Sequence, residues 1–262
     1  MTGQTGKSRS DSVWIYGVNP VIEAIRAGRK IKAIFISAAR HDKVSEIEKE
    51  AEGKKIPVKI SDRLFFDNTF MKGHQGVAAA VSLKGYVALD ELLDIPAEKD
   101  EPPLFVILDS IEDPRNFGAI LRVADAAGIH GVVIQSHRSA TLGPDASKAS
   151  AGAVEYVPVS MVSNIKHAID EMRERGITVI GGEVGAGKIL WDIDLRVPLA
   201  IVIGSEGKGL RKTVAEKCDV LANLPMRGKI GSLNVSVAAG IFAFEIMRQR
   251  LHKFLISEEN MK

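Results

Sequence analysis

The chain has 262 residues, 45% hydrophobic and 26% charged, and 35 Lys and Arg against 33 Asp and Glu give a formal net charge of +2. That composition is ordinary for a soluble globular protein and long enough for one large domain or two small ones. The single cysteine, Cys218, excludes an internal disulfide and any metal site built on several thiolates, and no run of about 18 apolar residues is present to form a membrane span.

The first stretch, MTGQTGKSRSDS, lacks the apolar core of a signal peptide, so residues 1–12 read as a short basic tail and the reducing cytoplasm as the compartment. VWIYG is then a strand, and a helix is predicted from Asn19-Pro20, with Asn capping and Pro suited to the first helical position. IKAIFIS and IPVKI are strands separated by the amphipathic helix HDKVSEIEKEAEGKK; DRLFFDNTFMK is a helix and GVAAAVSL a closing strand. The alternation predicts a compact α/β unit over residues 13–85. Residues 1–75 carry fourteen Lys and Arg against nine acids, which permits a polyanionic partner without requiring one. Residues 86–103, with Pro96, Pro102, Pro103 and several acids, read as a linker.

Residues 104–262 open with the apolar strand LFVILDS and the helix IEDPRNFGAILRVADAAG. There Asn116 is a candidate cap, Phe117, Ile120, Leu121, Ala124 and Ala127 form the buried face, and Arg122 lies one to two turns in. GVVIQ is a strand, RSATLGPDASKASAGAVEYVPV holds a short helix and a strand, and NIKHAIDEMRERG is a helix. ITVIGGE, LAIVIGSEG and DVLANLPM are three strands that each empty into a polar or glycine-rich loop. In open α/β sheets ligands collect beyond the carboxyl ends of the strands. The last of these loops leads into LPMRGKIGSLNVSVAAGIFAFE, an apolar helix predicted from about Ser232, with Ser232 as N-cap and Asn234 in the first turn.

Two glycine-rich loops invite a phosphate-binding reading. GEVGAGK, residues 182–188, meets the first part of the GxxxxGK[ST] pattern but has Ile189 where a Mg-binding hydroxyl is needed, and the WDIDL that follows offers no anion-binding helix. GSEGKG, residues 204–209, has its glycines in the wrong order for a dinucleotide fingerprint, and presents one carboxylate, Glu206, on a backbone that a ligand can approach closely. None of the six histidines forms a spaced ligand set, so no metal is expected, and His74 reads as a turn residue.

Three loops thus carry Asn116 with Arg122, Glu206, and Ser232 with Asn234. NFGAILRVADAAG, IVIGSEGKGL and the LPMRGKIGSLNVSVAAGIFAFE stretch resemble, in that order, the three motifs of the SpoU (TrmH-like) ribose 2′-O-methyltransferases. YGVNPVIEAI and HQGVAA resemble the ribosomal-protein-like substrate domain of the subgroup that acts on guanosine in 23S ribosomal RNA. The resemblance implies a C-terminal α/β trefoil-knot domain and a smaller N-terminal α/β domain that binds RNA. It further implies a homodimer whose apolar helix at 235–250 supplies much of the interface, and S-adenosylmethionine as cofactor. Gly204, Leu224 and Leu233 would hold that cofactor, with Gly182, Glu183, Ile203 and Met226 as neighbours.

Arg122 is the family's catalytic position. Arginine is a poor base on its face, because its pKa lies above about 12. The physical demand is either a strong local perturbation that lets it act as base or a different role, a clamp on the adjacent phosphate that stabilises the developing alkoxide while a phosphate oxygen helps accept the proton. Asn116 would orient Arg122 or the substrate, Glu206 would hold the arginine or shape the cofactor loop, and Ser232 and Asn234 would complete the pocket by hydrogen bonding. A transfer RNA or other ribosomal RNA methyltransferase, and a non-catalytic RNA-binding ribosome assembly factor, are the alternatives.

Overall fold

The computed structural model describes residues 12–40, 42–70 and 73–259, with side chains to residue 251. They form two units, divided between Gly85 and Tyr86. Of the basic tail read at residues 1–12, all but Ser12 lies outside the described residues.

The first unit runs β1 (Ser12–Tyr16), α1 (Val18–Arg26), β2 (Ile31–Ser37), α2 (Val44–Gly53), β3 (Val58–Ser61), α3 (Arg63–Thr69) and β4 (Val77–Ser82). Its sheet has the order β1-β4-β2-β3. Helix α1 begins at Val18 rather than at Pro20, so Asn19 lies inside it and is not its cap. Gly17 takes φ 103°, a conformation natural to glycine, and the Gln75 side-chain oxygen accepts the Val18 N–H at 3.0 Å in place of an Asn cap. His74 is a turn residue: its Nδ1 accepts the Gly76 N–H at 2.9 Å.

One face of this sheet buries Ile34 and Ile36 against Val21, Ile25 and Ile47 of α1 and α2. The other gathers Trp14, Tyr16 and Phe35 with Phe66 and Phe70. Trp14 and Phe35 stand on β1 and β2, either side of β4, yet their rings are 5.2 Å apart. They meet because β4 offers only the methyl groups of Ala78 and Ala80 beneath them.

The second unit runs α4 (Leu89–Lys99), β5 (Leu104–Asp109), α5 (Pro114–Ala126), β6 (Gly131–Gln135), α6 (Pro144–Ala149), β7 (Val159–Val162), α7 (Ile165–Glu174), β8 (Thr178–Gly182), β9 (Lys188–Ile189), β10 (Leu199–Gly204), α8 (Lys212–Ala215), β11 (Val220–Asn223) and α9 (Val235–Glu259). Its seven strands are parallel, in the order β7-β6-β5-β10-β8-β11-β9. Strands β5 and β10 are buried at every residue, as unbroken apolar strands covered on both faces must be. Helices α5 and α9 cover one face and α4 and α7 the other.

Residues 86–103 are therefore not a linker. Val87 bridges to Ser160, and Leu92 and Leu93 of α4 are buried beside Phe105, Ile107 and Ile169. Gly131 has no Cβ because one would stand 2.3 Å from Leu92, so α4 lies directly on the start of β6. The acids Asp90, Glu91, Asp94 and Glu98 occupy the opposite, outer face and mask a short amphipathic pattern.

Two helix starts also differ from expectation. Asp113, followed by Pro114, caps α5 by accepting the Arg115 N–H at 2.8 Å, which leaves Asn116 in the first turn. Helix α9 begins at Val235, and Asn234, not Ser232, caps it by accepting the Ser236 N–H at 2.9 Å.

His130 is 2% exposed, with its Nδ1 accepting the Leu104 N–H at 3.2 Å and its Nε2 3.0 Å from a Glu101 carboxylate oxygen. The neutral ring with its proton on Nε2 satisfies both contacts, whereas a second proton would face a backbone donor. Burial outweighs the attraction of Glu101 and holds the His130 pKa below the ordinary value. The folded state therefore binds this proton less readily than the unfolded chain. Stability is full above the unfolded value of about 6.5 and is lost as pH falls through the folded one. Urea titrations between pH 7.5 and 5.5 are expected to show that loss, and His130→Gln to flatten it; an unchanged slope would remove His130 as its source.

Candidate active site

Three of the polar residues singled out in the sequence, Asn116, Glu206 and Asn234, meet at the carboxyl ends of the strands. Strand β10 ends at Gly204, and the chain turns back on itself so that Ser205 and Gly209 exchange both backbone hydrogen bonds, at 3.1 and 2.9 Å. Glu206 stands in that turn. Gly204 is required for it, because a Cβ there would lie 2.2 Å from the Gly209 carbonyl carbon.

The feet of the turn are held by the neighbouring strands. Glu183, just after β8, accepts the Leu210 N–H at 3.3 Å. Asp109, fully buried at the end of β5, accepts the Arg211 backbone N–H at 2.8 Å and its Nε at 2.6 Å. Arg211 in turn donates to Gln135 Oε1, at the end of β6, at 2.7 Å. Sequence reasoning missed this Asp109–Arg211–Gln135 brace, whose only local trace is an acid at the end of an apolar strand.

Glu206 joins two asparagines. Asn116 Nδ2 donates to Glu206 Oε2 at 3.3 Å, and Asn234 Nδ2 lies 3.1 Å from both Glu206 Oε1 and Asn116 Oδ1. The Asn234 carbonyl oxygen accepts from the Ser236 N–H and hydroxyl, at 2.9 and 2.6 Å, so its NH₂ must point to the cluster. Both carboxylate oxygens of Glu206 thus accept amide hydrogens from residues 90 and 28 positions away in sequence.

A cavity of about 370 Å³ lies against this cluster. Gly182 and Glu183 line it from β8, Ile203 and Gly204 from β10, and Leu224, Met226 and Leu233 from the chain after β11. Ser232 and Glu206 are in its wall, with Ala238 and Phe242 of α9. All seven positions assigned to the cofactor by resemblance therefore border one space. Arg122 does not. It is exposed on α5, six residues past Asn116 and so on another side of the helix, and among the described residues it has no hydrogen-bond or ion-pair partner.

The GEVGAGK loop runs from β8 to the two-residue strand β9 and on into a single 3-10 turn, so no helix N-terminus receives a phosphate there. Among the described residues no three His, Cys, Asp or Glu side chains are grouped to hold a metal, and no helix is long and apolar enough to cross a membrane. Burial pushes the Cys218 thiol up to about 12, too high for it to act as a nucleophile near neutral pH.

The sequence profile of the SpoU rRNA Methylase family matches residues 103–244. The chain belongs to the SpoU methylase family. A second profile, that of the RNA 2′-O ribose methyltransferase substrate-binding domain, matches residues 14–87. The chain is 41% identical over 241 residues to the 23S rRNA (guanosine-2′-O-)-methyltransferase RlmB of Pseudomonas aeruginosa, covering 90% of this chain and 96% of that one. It is 42% identical over 238 residues to YacO of Bacillus subtilis, assigned by name to the TrmH family, with coverage of 90% and 96%. Among solved structures it is similar to an S-adenosylmethionine-bound rRNA methyltransferase from Sinorhizobium meliloti, at 25% identity and a TM-score of 0.74 over 91% of this chain and 88% of that one. The SpoU methyltransferase AviRb of Streptomyces viridochromogenes shares the fold, with a TM-score of 0.77 at 23% identity over 96% and 94% of the two chains.

As a SpoU enzyme the chain is an S-adenosylmethionine-dependent RNA 2′-O-ribose methyltransferase. The cavity fits that cofactor: glycine-rich turns bring backbone polar groups to its wall, α9 gives it an apolar floor, and the carboxylates of Glu183 and Glu206 match a cationic ligand. Glu206→Gln is the sharpest test of the cluster. It keeps the shape but replaces one acceptor oxygen with a donor that faces an asparagine NH₂. Methyl transfer is expected to fall about 100-fold, measured with labelled cofactor under single-turnover conditions; full activity would show the carboxylate to be dispensable.

Proposed function

We propose that the protein methylates the ribose 2′-hydroxyl of a guanosine in 23S ribosomal RNA, as a cytoplasmic homodimer. The similarity that carries the substrate is the match to the Pseudomonas aeruginosa enzyme, which runs through both units at 41% identity. The N-terminal unit, residues 13–85, selects the RNA, and the unit from residue 86 onward binds the cofactor and performs the transfer.

S-adenosylmethionine supplies the methyl group as a sulfonium, and the chain's own residues align and activate the hydroxyl. Gly182, Glu183, Ile203, Gly204, Leu224, Met226 and Leu233 hold the cofactor. Asn116, Glu206 and Asn234 form a hydrogen-bonded shelf, joined to the cavity wall through Glu206, on which the ribose is oriented, and Ser232 is part of that wall. Arg122 clamps the phosphate beside the reacting ribose and stabilises the developing alkoxide, while an oxygen of that phosphate accepts the hydroxyl proton.

Dimerisation supplies what one chain lacks. Val237, Phe244 and Leu251 are 49%, 43% and 51% exposed and recur every seven residues along α9, a stripe suited to an antiparallel or crossed helix partner. Because Arg122 stands apart from the cluster of its own chain, Arg122 of the partner subunit serves it.

Labelled S-adenosylmethionine, offered with unmodified 23S, 16S and transfer RNA transcripts and followed by nucleoside analysis, tests the substrate. The expected product is 2′-O-methylguanosine in 23S RNA alone. Label in transfer RNA or in another nucleoside would overturn the assignment, and cofactor binding with no label on naked or particle-bound RNA would leave an assembly factor.

A further inference from the structure

The Glu206 turn has a second concave side. A cleft of about 690 Å³ shares Ser205, Glu206, Lys208 and Gly209 with the cofactor cavity and is also bordered by Asn116, Arg138 and Arg211. The turn is therefore a wall common to both spaces.

The backbone at Arg138 is held in place. Strand β6 ends at Gln135, and the loop after it is pinned at both ends, Ser136 N–H to the Val162 carbonyl at 2.9 Å and Ala140 N–H to the Ile111 carbonyl at 2.8 Å. Between the pins Arg138 takes φ 55°, a left-handed conformation that a residue with a side chain rarely adopts and that recurs at functional positions.

The charges of the cleft do not cancel. Asp109 and Gln135 engage Arg211, Arg115 engages Asp113, and the two asparagines engage Glu206. Among the described residues Arg138 and Lys208 have no hydrogen-bond or ion-pair partner, and Glu112 is the one lining carboxylate in the same state. Two unpaired cations against one unpaired carboxylate, beside the Asn116–Glu206–Asn234 shelf, suit an anion attached to the group that the shelf orients.

We infer that this cleft seats the target nucleotide, with Arg138 and Lys208 gripping the RNA phosphates that flank the methylated ribose. Arg138 makes the directional contact, since a guanidinium can hold two phosphate oxygens at once, and Lys208 acts as a point charge. The inference rests on the shelf being the site of RNA 2′-O-methyl transfer.

The test uses the full-length protein and the transcript that the wild type methylates, with Arg138→Gln, Arg138→Gly and Lys208→Gln. Cofactor affinity of the Arg138 variants is expected to stay within about twofold of wild type, while kcat/KM for RNA falls about 10- to 100-fold. The plot of log affinity for RNA against log salt is expected to become shallower by about one for each cation removed. Arg138→Gly guards against misfolding, because glycine is at ease at φ 55° and this variant is expected to be at least as stable as the parent. RNA affinity and salt slope unchanged in both the Arg138 and Lys208 variants would overturn the cleft assignment. A wild-type protein that binds cofactor yet methylates no RNA would instead overturn the reading beneath it.

Discussion

Arg122→Ala is expected to abolish methyl transfer almost completely, by at least about 100-fold, with cofactor affinity within about twofold of wild type. Arg122 lies outside the cofactor cavity, so nothing that holds the cofactor is removed. It makes no hydrogen bond or ion pair among the described residues, so its loss leaves no buried group unpaired. On the proposed role, the effect falls on the transition state, where the ribose oxygen gains charge. Arg122→Lys is expected to recover only a fraction, because an ammonium supplies charge without the planar fork.

Mixing variants then tests action between subunits. A dimer of one Arg122→Ala chain and one Glu206→Gln chain contains one complete site if the arginine reaches across, and none if it acts within its own chain. Equal mixing of two inactive proteins is expected to restore about a quarter of wild-type activity, since half of the dimers are mixed and each has one good site. No recovery, in a mixture shown to exchange subunits, would place Arg122 in its own chain's site.

Gly204→Ala is expected to weaken cofactor binding at least about 100-fold and to cost about 1–3 kcal/mol of stability. The added methyl would stand 2.2 Å from the Gly209 carbonyl carbon and 2.4 Å from the Leu210 nitrogen. These are backbone atoms, with no rotamer to turn aside, so the paired Ser205 and Gly209 must part and Glu206 must move. Gly187→Ala, in the loop that imitates a phosphate-binding motif, is the contrast. Nothing lies within 4 Å of a Cβ there, and the substitution is expected to leave both quantities unchanged. Calorimetric titration with S-adenosylmethionine and thermal unfolding of the two variants check this; equal cofactor affinity in Gly204→Ala and wild type would show that the turn can open without consequence.

Much of this site is legible in the sequence. Strands β5, β10 and β11 announce themselves by apolar runs that stop at polar or glycine-rich turns, and the segments that follow them carry Asn116, Glu206 and Asn234. Local rules misplaced the details. Ser232 and Asn234 are both good caps, and the choice between them depends on where Val235 and Phe242 find burial, which is a tertiary fact. Helix α4 was hidden because its apolar positions are few and its acids many; burial of Leu92 beneath Gly131 decides it, and Gly131 is 39 residues away. The Asp109–Arg211 pair joins residues 102 apart, and only the insertion of β10 beside β5 makes them neighbours. The separation of Arg122 from the cluster is a matter of helical phase, legible in principle from a spacing of six but meaningless until the direction of Asn116 is known.

Under the proposed assignment, the Ser205–Gly209 turn, with one space on either side of it, would make cofactor and RNA thermodynamic partners. If cofactor sharpens the grip on RNA by some factor through this wall, RNA must sharpen the grip on cofactor by the same factor. The reaction would then alter both sides together. With S-adenosylmethionine in the cavity that Glu206 lines, methyl transfer would remove a positive charge from that space, and the Glu206 carboxylate would keep only its two asparagine donors. A single turn five residues long would thereby couple the end of chemistry to the loosening of both products.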